Sequence, residues 1–181
     1  LARIEHHRRA VAAHLGPEPR DVEAFGERLA PSSTLRKVVE SGRLGRKGRK
    51  GFYLYDEEGK KGGVDETVYT FTPGGAQRVS VPAQEIQERC VLAMVNEAVR
   101  CLEEGIIRSP RDGDIGAIFG IGFPPFRGGP FRYIDAVGAG QVVDRLEELN
   151  GRFSGRFVPA ETLVRMARKG ERFHPHGVRS S

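Results

Sequence analysis

The chain has 181 residues, a net charge of +5 and a mean hydropathy of −0.43. That length suits one domain, or one domain with part of another. No apolar run approaches the roughly 20 residues that a membrane-crossing helix needs, and the charged start Leu1–Arg9 is unlike a secretory leader.

The first element is carried by Phe25–Gly42. Pro31 presets a helical turn, Leu35 and Val38 share one face, and Gly42 suits a left-handed stop. The same pattern returns at Phe153–Gly170, with an offset of 159 − 31 = 128. Phe25, Arg28, Pro31, Thr34, Leu35 and Gly42 reappear as Phe153, Arg156, Pro159, Thr162, Leu163 and Gly170. Lys37 and Arg165 keep the charge, and Val38 and Met166 keep the apolar character. Six identities at one offset indicate an internal duplication. The second copy has a long lead-in from about Pro82, so about 45 residues of the first copy are expected upstream of Leu1. On this reading the chain starts inside its first repeat, which the absence of Met at position 1 also suggests.

The densest basic cluster is Arg43, Arg46, Lys47, Arg49 and Lys50, followed by Lys60 and Lys61. It lacks the interleaved aromatics of RNA-stacking surfaces and reads as a solvated loop, with no nucleic-acid partner expected. Gly51–Asp56 is an aromatic strand candidate, Glu57–Val64 a charged turn, and Val68–Phe71 a segment that pairs back or packs. Residues 56–81 read as a linker between the repeats.

Pro82–Gly105 predicts the longest helix. Ile86, Cys90, Val91, Met94, Val95, Ala98, Val99 and Leu102 fall at helical spacing and form its expected apolar face. Ser109-Pro110-Arg111-Asp112 is a capped start for a helix to about Phe119. Gly120–Pro130 forms a Gly/Pro turn packed by Phe123 and Phe126, and Pro130–Val137, Gln141–Asn150 and Pro159–Lys169 read as helices. The tail from His174 is expected to be disordered.

Residues that could carry chemistry are few. His6, His7, His14, His174 and His176 lack the spacing of a metal site. Asp112 and Asp114 read as acidic residues favoured at a helix start, and Glu103 and Glu104 as surface charge or a local hydrogen bond. Cys90 and Cys101 are about 16 Å apart along one helix, beyond disulfide reach, and imply reduced thiols in a reducing compartment. Gly42–Gly51 and Gly138-Ala-Gly140 match no nucleotide-binding fingerprint, and no G-x-S-x-G is present. The sequence therefore names no catalytic, cofactor-binding or metal-binding residue in this chain.

Three segments resemble a known family. Leu44-Gly-Arg-Lys-Gly-Arg-Lys-Gly-Phe-Tyr-Leu-Tyr55 and Met94-Val-Asn-Glu-Ala-Val-Arg-Cys-Leu-Glu-Glu-Gly-Ile-Ile107 are similar to segments of 3-hydroxyacyl-CoA dehydrogenases. Gly113–Arg132, with Gly-Phe-Pro-Pro-Phe-Arg-Gly-Gly-Pro-Phe inside it, resembles the multifunctional members, the α-subunits of the fatty-acid oxidation complex and the mitochondrial trifunctional protein. Together the similarity runs from about Val11 to Phe173, whereas Leu1–Ala10 departs from the family pattern. The resemblance implies an all-α fold of two C-terminal helical repeats, with a short β-strand or hairpin in the inter-repeat linker. Residues 1–55 would be a truncated first repeat, 56–81 the linker, 82–173 the second repeat and 174–181 the tail.

It also implies that the catalytic His–Glu pair and the NAD site belong to a separate NAD-binding domain of the parent protein. The family's active-site Asn aligns with Glu88 in the second repeat. A carboxylate cannot donate the amide hydrogen bond, so this repeat is expected to be catalytically silent. Expected partners are that NAD-binding domain, an acyl-CoA substrate, a thiolase β-subunit and a second copy of the fragment through its unpaired repeat face. The expected location is the cytoplasm, or the mitochondrial matrix in a eukaryote. The competing reading is an interaction module that docks a thiolase subunit, which would require an exposed apolar or basic patch on the second repeat.

Overall fold

The computed structural model describes residues 32–75, 77, 79–153 and 155–175. It is mostly helical, with one two-stranded antiparallel sheet, and divides into two compact units between Ser80 and Val81. Phe25, Arg28 and Pro31 of the repeat lie outside the described residues, as do His6, His7, His14 and His176.

The first unit opens with helix α1, Ser33–Glu40. The Ser32 hydroxyl accepts the Leu35 N–H at 3.2 Å and so satisfies one of the four orphan donors of the first turn. After a 3-10 turn at Arg46–Gly48 come strands β1, Tyr53–Tyr55, and β2, Lys61–Val64, paired as Tyr53 with Val64 and Tyr55 with Lys61 across a bulge. A 3-10 helix, Glu66–Phe71, follows, and it packs on α1 with Val38 and Val68 both buried.

Within residues 56–81, β2 is exposed along its length, and the 3-10 helix supplies the buried Val68 that packs with Val38 of α1. One sequence expectation changes. Arg43 is not solvated. It is 8% exposed, donates to the Gly51 carbonyl at 3.3 Å, and is paired with Asp65 and Thr67. The rest of the basic cluster is exposed.

The second unit consists of α2, Ala83–Glu103; α3, Pro110–Ile121; α4, Pro130–Val137; α5, Ala139–Arg152; and α6, Glu161–Lys169. Val95, Val99, Phe123, Phe131, Ile134, Leu146, Leu149 and Leu163 form one core, each at 2% exposure or less. Burying a side chain of this size contributes about 1.5–3 kcal/mol.

Six of the eight residues expected on the apolar face of α2, Val91, Met94, Val95, Ala98, Val99 and Leu102, join the core or pack against it. Its first turns differ: Ile86 is half exposed and Cys90 exposed, while Glu85 and Glu88 are partly buried. Glu85 meets Arg152 at 2.8 Å and Glu88 meets Arg145 at 2.6 Å, so salt bridges join the first turns of α2 to α5 where apolar contact was expected. Phe123 is buried as predicted, but Phe126 is 84% exposed, because its short 3-10 turn at Pro125–Arg127 turns the ring outward.

Candidate functional site

The polar residues that gave α2 its distinctive sequence act together on one target, the start of α6. Asn96, 4% exposed, donates from Nδ2 to the Val158 carbonyl at 2.8 Å and accepts the Ala160 N–H on Oδ1 at 2.8 Å. Arg100 donates to the same carbonyl at 2.7 Å. The Glu103 carboxylate accepts the N–H of Thr162 in the first turn of α6. Residues at i, i+4 and i+7 share a face, so Asn96, Arg100 and Glu103 cap a helix they do not belong to. Glu103 thus makes a hydrogen bond, one of the two expected roles, but to a residue 59 positions downstream and not to a local one. The lone Asn within the apolar period Val95–Val99 was the signal available for this.

A second anchor joins α3 to α4. Asp114 is 4% exposed and accepts the Phe131 N–H at 2.8 Å, satisfying an orphan donor in the first turn of α4. The fit is close. At Gly129, with φ of 111°, a Cβ would fall 2.3–2.5 Å from the Asp114 side chain. At Gly113 a Cβ would stand 2.5 Å from the Phe131 ring. The Gly-Gly-Pro-Phe run therefore permits the approach of a buried carboxylate. The expectation that Asp114 merely complements its own helix dipole misses this, because its partner lies 17 residues downstream. Asp112 does occupy the first turn of α3, where its N–H is accepted by the Ser109 hydroxyl at 3.1 Å.

His174, expected in a disordered tail, is held. Its Nε2 lies 2.7 Å from Asp114 Oδ2, and its N–H and that of Phe173 are each accepted by the Asp135 carboxylate at 2.8 Å. Phe173 adds an edge-on contact to Phe131 with ring centroids 4.9 Å apart. The pairing of His174 with Asp114 ties this end of the described chain to α3.

Glu88, the position aligned with the family's active-site Asn, is held below its ordinary pKa, first by its hydrogen bonds from Arg145. Asp65 in the first unit is lowered from 3.8 to about 2, chiefly by the Thr67 hydroxyl at 2.7 Å and then by Arg43. Both carboxylates are committed to structural partners. Among the described residues, no three His, Cys, Asp or Glu side chains converge as a metal ion would need. Cys90 and Cys101 are not in disulfides among the described residues.

Among the described residues, two open recesses stand out on the second unit. One, of about 470 Å³, runs along the outer face of α6 beside Val164, Arg165 and Arg168. The other, of about 350 Å³, lies beside Asp114 and His174, with Ile115 and Ile118 on its wall and Arg111 and Arg132 at its edge.

The motif residues of α2, α3 and α4 thus specify how helices are joined. The family model of the 3-hydroxyacyl-CoA dehydrogenase C-terminal domain matches residues 86–177, just over half of the chain and nearly all of this second unit. The chain belongs to the 3-hydroxyacyl-CoA dehydrogenase family, of which it carries the helical C-terminal domain.

Proposed function

We propose that this chain is the helical C-terminal part of a multifunctional fatty-acid β-oxidation protein. In this reading it forms one wall of the acyl-CoA cleft, while an NAD-binding domain supplies the catalytic pair and the cofactor. What supports the reading is that Glu88, Asn96, Glu103 and Asp114 all spend their polar atoms on holding helices together. Positioning of this kind suits hydride transfer, where much of the rate comes from aligning two bound reactants. The chemistry supplied by NAD is acceptance of the hydride from the hydroxyl-bearing carbon. The residues of this chain would contribute fixed walls and exclusion of water.

The test is the NAD-dependent oxidation of a 3-hydroxyacyl-CoA, followed by NADH absorbance. The chain alone is expected to be inactive, and the same chain joined to an NAD-binding domain active. Turnover by the isolated chain would place a catalytic centre within these residues and overturn the proposal.

A second reading, docking of a thiolase subunit, draws support from Ile121 and Phe126, at 68% and 84% exposure near the end of α3. Single exposed apolar residues are common, but two placed five residues apart, at the end of α3 and in the 3-10 turn that follows, resemble the anchors of a protein interface. Co-sedimentation with a purified thiolase, lost in Phe126→Ser, is the expected result. Unchanged co-sedimentation in that variant would remove the patch from the interface.

A further inference from the structure

We infer that the recess beside α3 is a binding site for a small amphipathic anion, an alkyl carboxylate, seated head-first between Arg111 and Arg132. The inference goes beyond the scaffolding role, and its failure would leave that role untouched.

The charges come first. Arg111 and Arg132 border the recess and are exposed, and among the described residues neither has a salt-bridge or hydrogen-bond partner. Arg145 and Arg152 of this unit are instead engaged with glutamates, and Arg100 and Arg172 with carbonyls. Asp114 is the acidic group on the lining, and its carboxylate is already shared between the Phe131 N–H and His174. The free charge facing the recess is therefore that of two guanidiniums. Their planar donor forks match a carboxylate. Arg132 is also placed by its surroundings. Its stem lies over Gly128, where a Cβ would come 2.8 Å from the Arg132 Cδ, so the glycine leaves the space in which the stem rests.

The apolar part lies beside the charges. Ile115, 47% exposed, is one turn beyond Arg111 on α3, and Ile118 lines the same recess. Phe119, 85% exposed, follows one turn beyond Ile115 and extends the strip toward the end of the helix. From Arg111 to Phe119 the helix rises about 12 Å, the reach of a medium-length alkyl chain. A volume of about 350 Å³ is at the small end for ligand sites and too small for a nucleotide-bearing thioester, but it accommodates a head group and the first part of a chain.

The experiment is calorimetric titration of the whole chain with three probes below their micelle concentrations: dodecanoate, dodecanol and inorganic phosphate. Dodecanoate is expected to saturate one site, dodecanol to bind at least tenfold more weakly, and phosphate not to bind measurably. The double variant Arg111→Gln, Arg132→Gln is expected to lose at least tenfold in dodecanoate affinity. Both positions are exposed, and unchanged thermal melting will show that the fold is kept. Ile118→Ser should weaken dodecanoate while leaving melting within a few degrees. Equal binding of dodecanol and dodecanoate, binding indifferent to the double variant, or no saturable dodecanoate binding would each overturn the site.

Discussion

Helices α1 and α6 carry the two sequence segments that match at the 128-residue offset, and they differ in how they are held. Both end in the same way. In α1 the Gly42 N–H bonds to the Val39 carbonyl and the Arg43 N–H to the Val38 carbonyl; in α6, Gly170 bonds to Ala167 and Glu171 to Met166. Each of these four residues of the later segment lies 128 positions after its counterpart. Gly42 and Gly170 have φ of 80° and 66°, the left-handed conformation this closure requires. Helix α2 closes the same way at Gly105, so the closure by itself marks only a stop; the repeated spacing and register carry the comparison.

The starts of the two helices diverge. Helix α1 is capped locally by Ser32, and its Leu35 is only half-buried. Helix α6 has no side-chain cap of its own; its entry is fixed by Asn96, Arg100 and Glu103 from α2, and Leu163, the counterpart of Leu35, is fully buried. The lesson is that a repeated sequence fixes a helix and its stop, while its anchoring depends on what the neighbouring elements supply.

The sharpest way to break this comparison is truncation of the matched leucines. Leu163→Ala is expected to cost about 2–5 kcal/mol, since it opens a cavity in a closed core. Leu35→Ala should cost only about 1 kcal/mol, in proportion to its smaller burial. Urea titration of both variants measures the difference, and equal losses would show that the two helices are equally embedded. The caps come next. Asn96→Ala is expected to destabilise by about 2–3 kcal/mol, because the buried Ala160 N–H loses its acceptor. Ser32→Ala should cost about 1 kcal/mol at an exposed cap.

A smaller effect should be shared. Gly42→Ala and Gly170→Ala are each expected to cost about 1 kcal/mol, from the same left-handed backbone at both stops. A markedly unequal pair would mean that the closures are not equivalent. The smallest effect is on acid stability and sharpens the contrast between the units. Because the Asp65 pKa is lowered from 3.8 to about 2, its contribution is fully present above about 4 and is lost as pH falls toward 2. Asp65→Asn should therefore flatten the stability of the first unit between those values. An unchanged acid limb would exclude Asp65 as its source.

Much of this architecture was legible in the sequence. Local signals placed the helices: Ser109-Pro110 opened α3, Pro130 began α4, and spacing marked α2 and α6. The apolar face of α2 is legible from Val91 to Leu102 but not in its first turns, where Glu85 and Glu88 make salt bridges to α5 and Ile86 faces out. Asp114 and His174 were missed for a related reason. Their partners are distant in sequence, 17 and 60 residues apart, and a carboxylate that caps another helix leaves only a glycine at the point of approach as its trace. Arg43 was hidden inside a basic run whose other members are exposed.

The central claim is that the distinctive polar residues of the second unit hold structure and do not carry out chemistry. It is tested most directly by measuring kcat and melting temperature together for Asn96→Asp and Glu88→Gln, in a protein joining this chain to an NAD-binding domain. The expected result is a lower melting temperature in both variants, with kcat per folded molecule within about twofold of the parent. A fall in kcat of about a hundredfold or more, the scale of a lost acid–base group, with melting unchanged would contradict it.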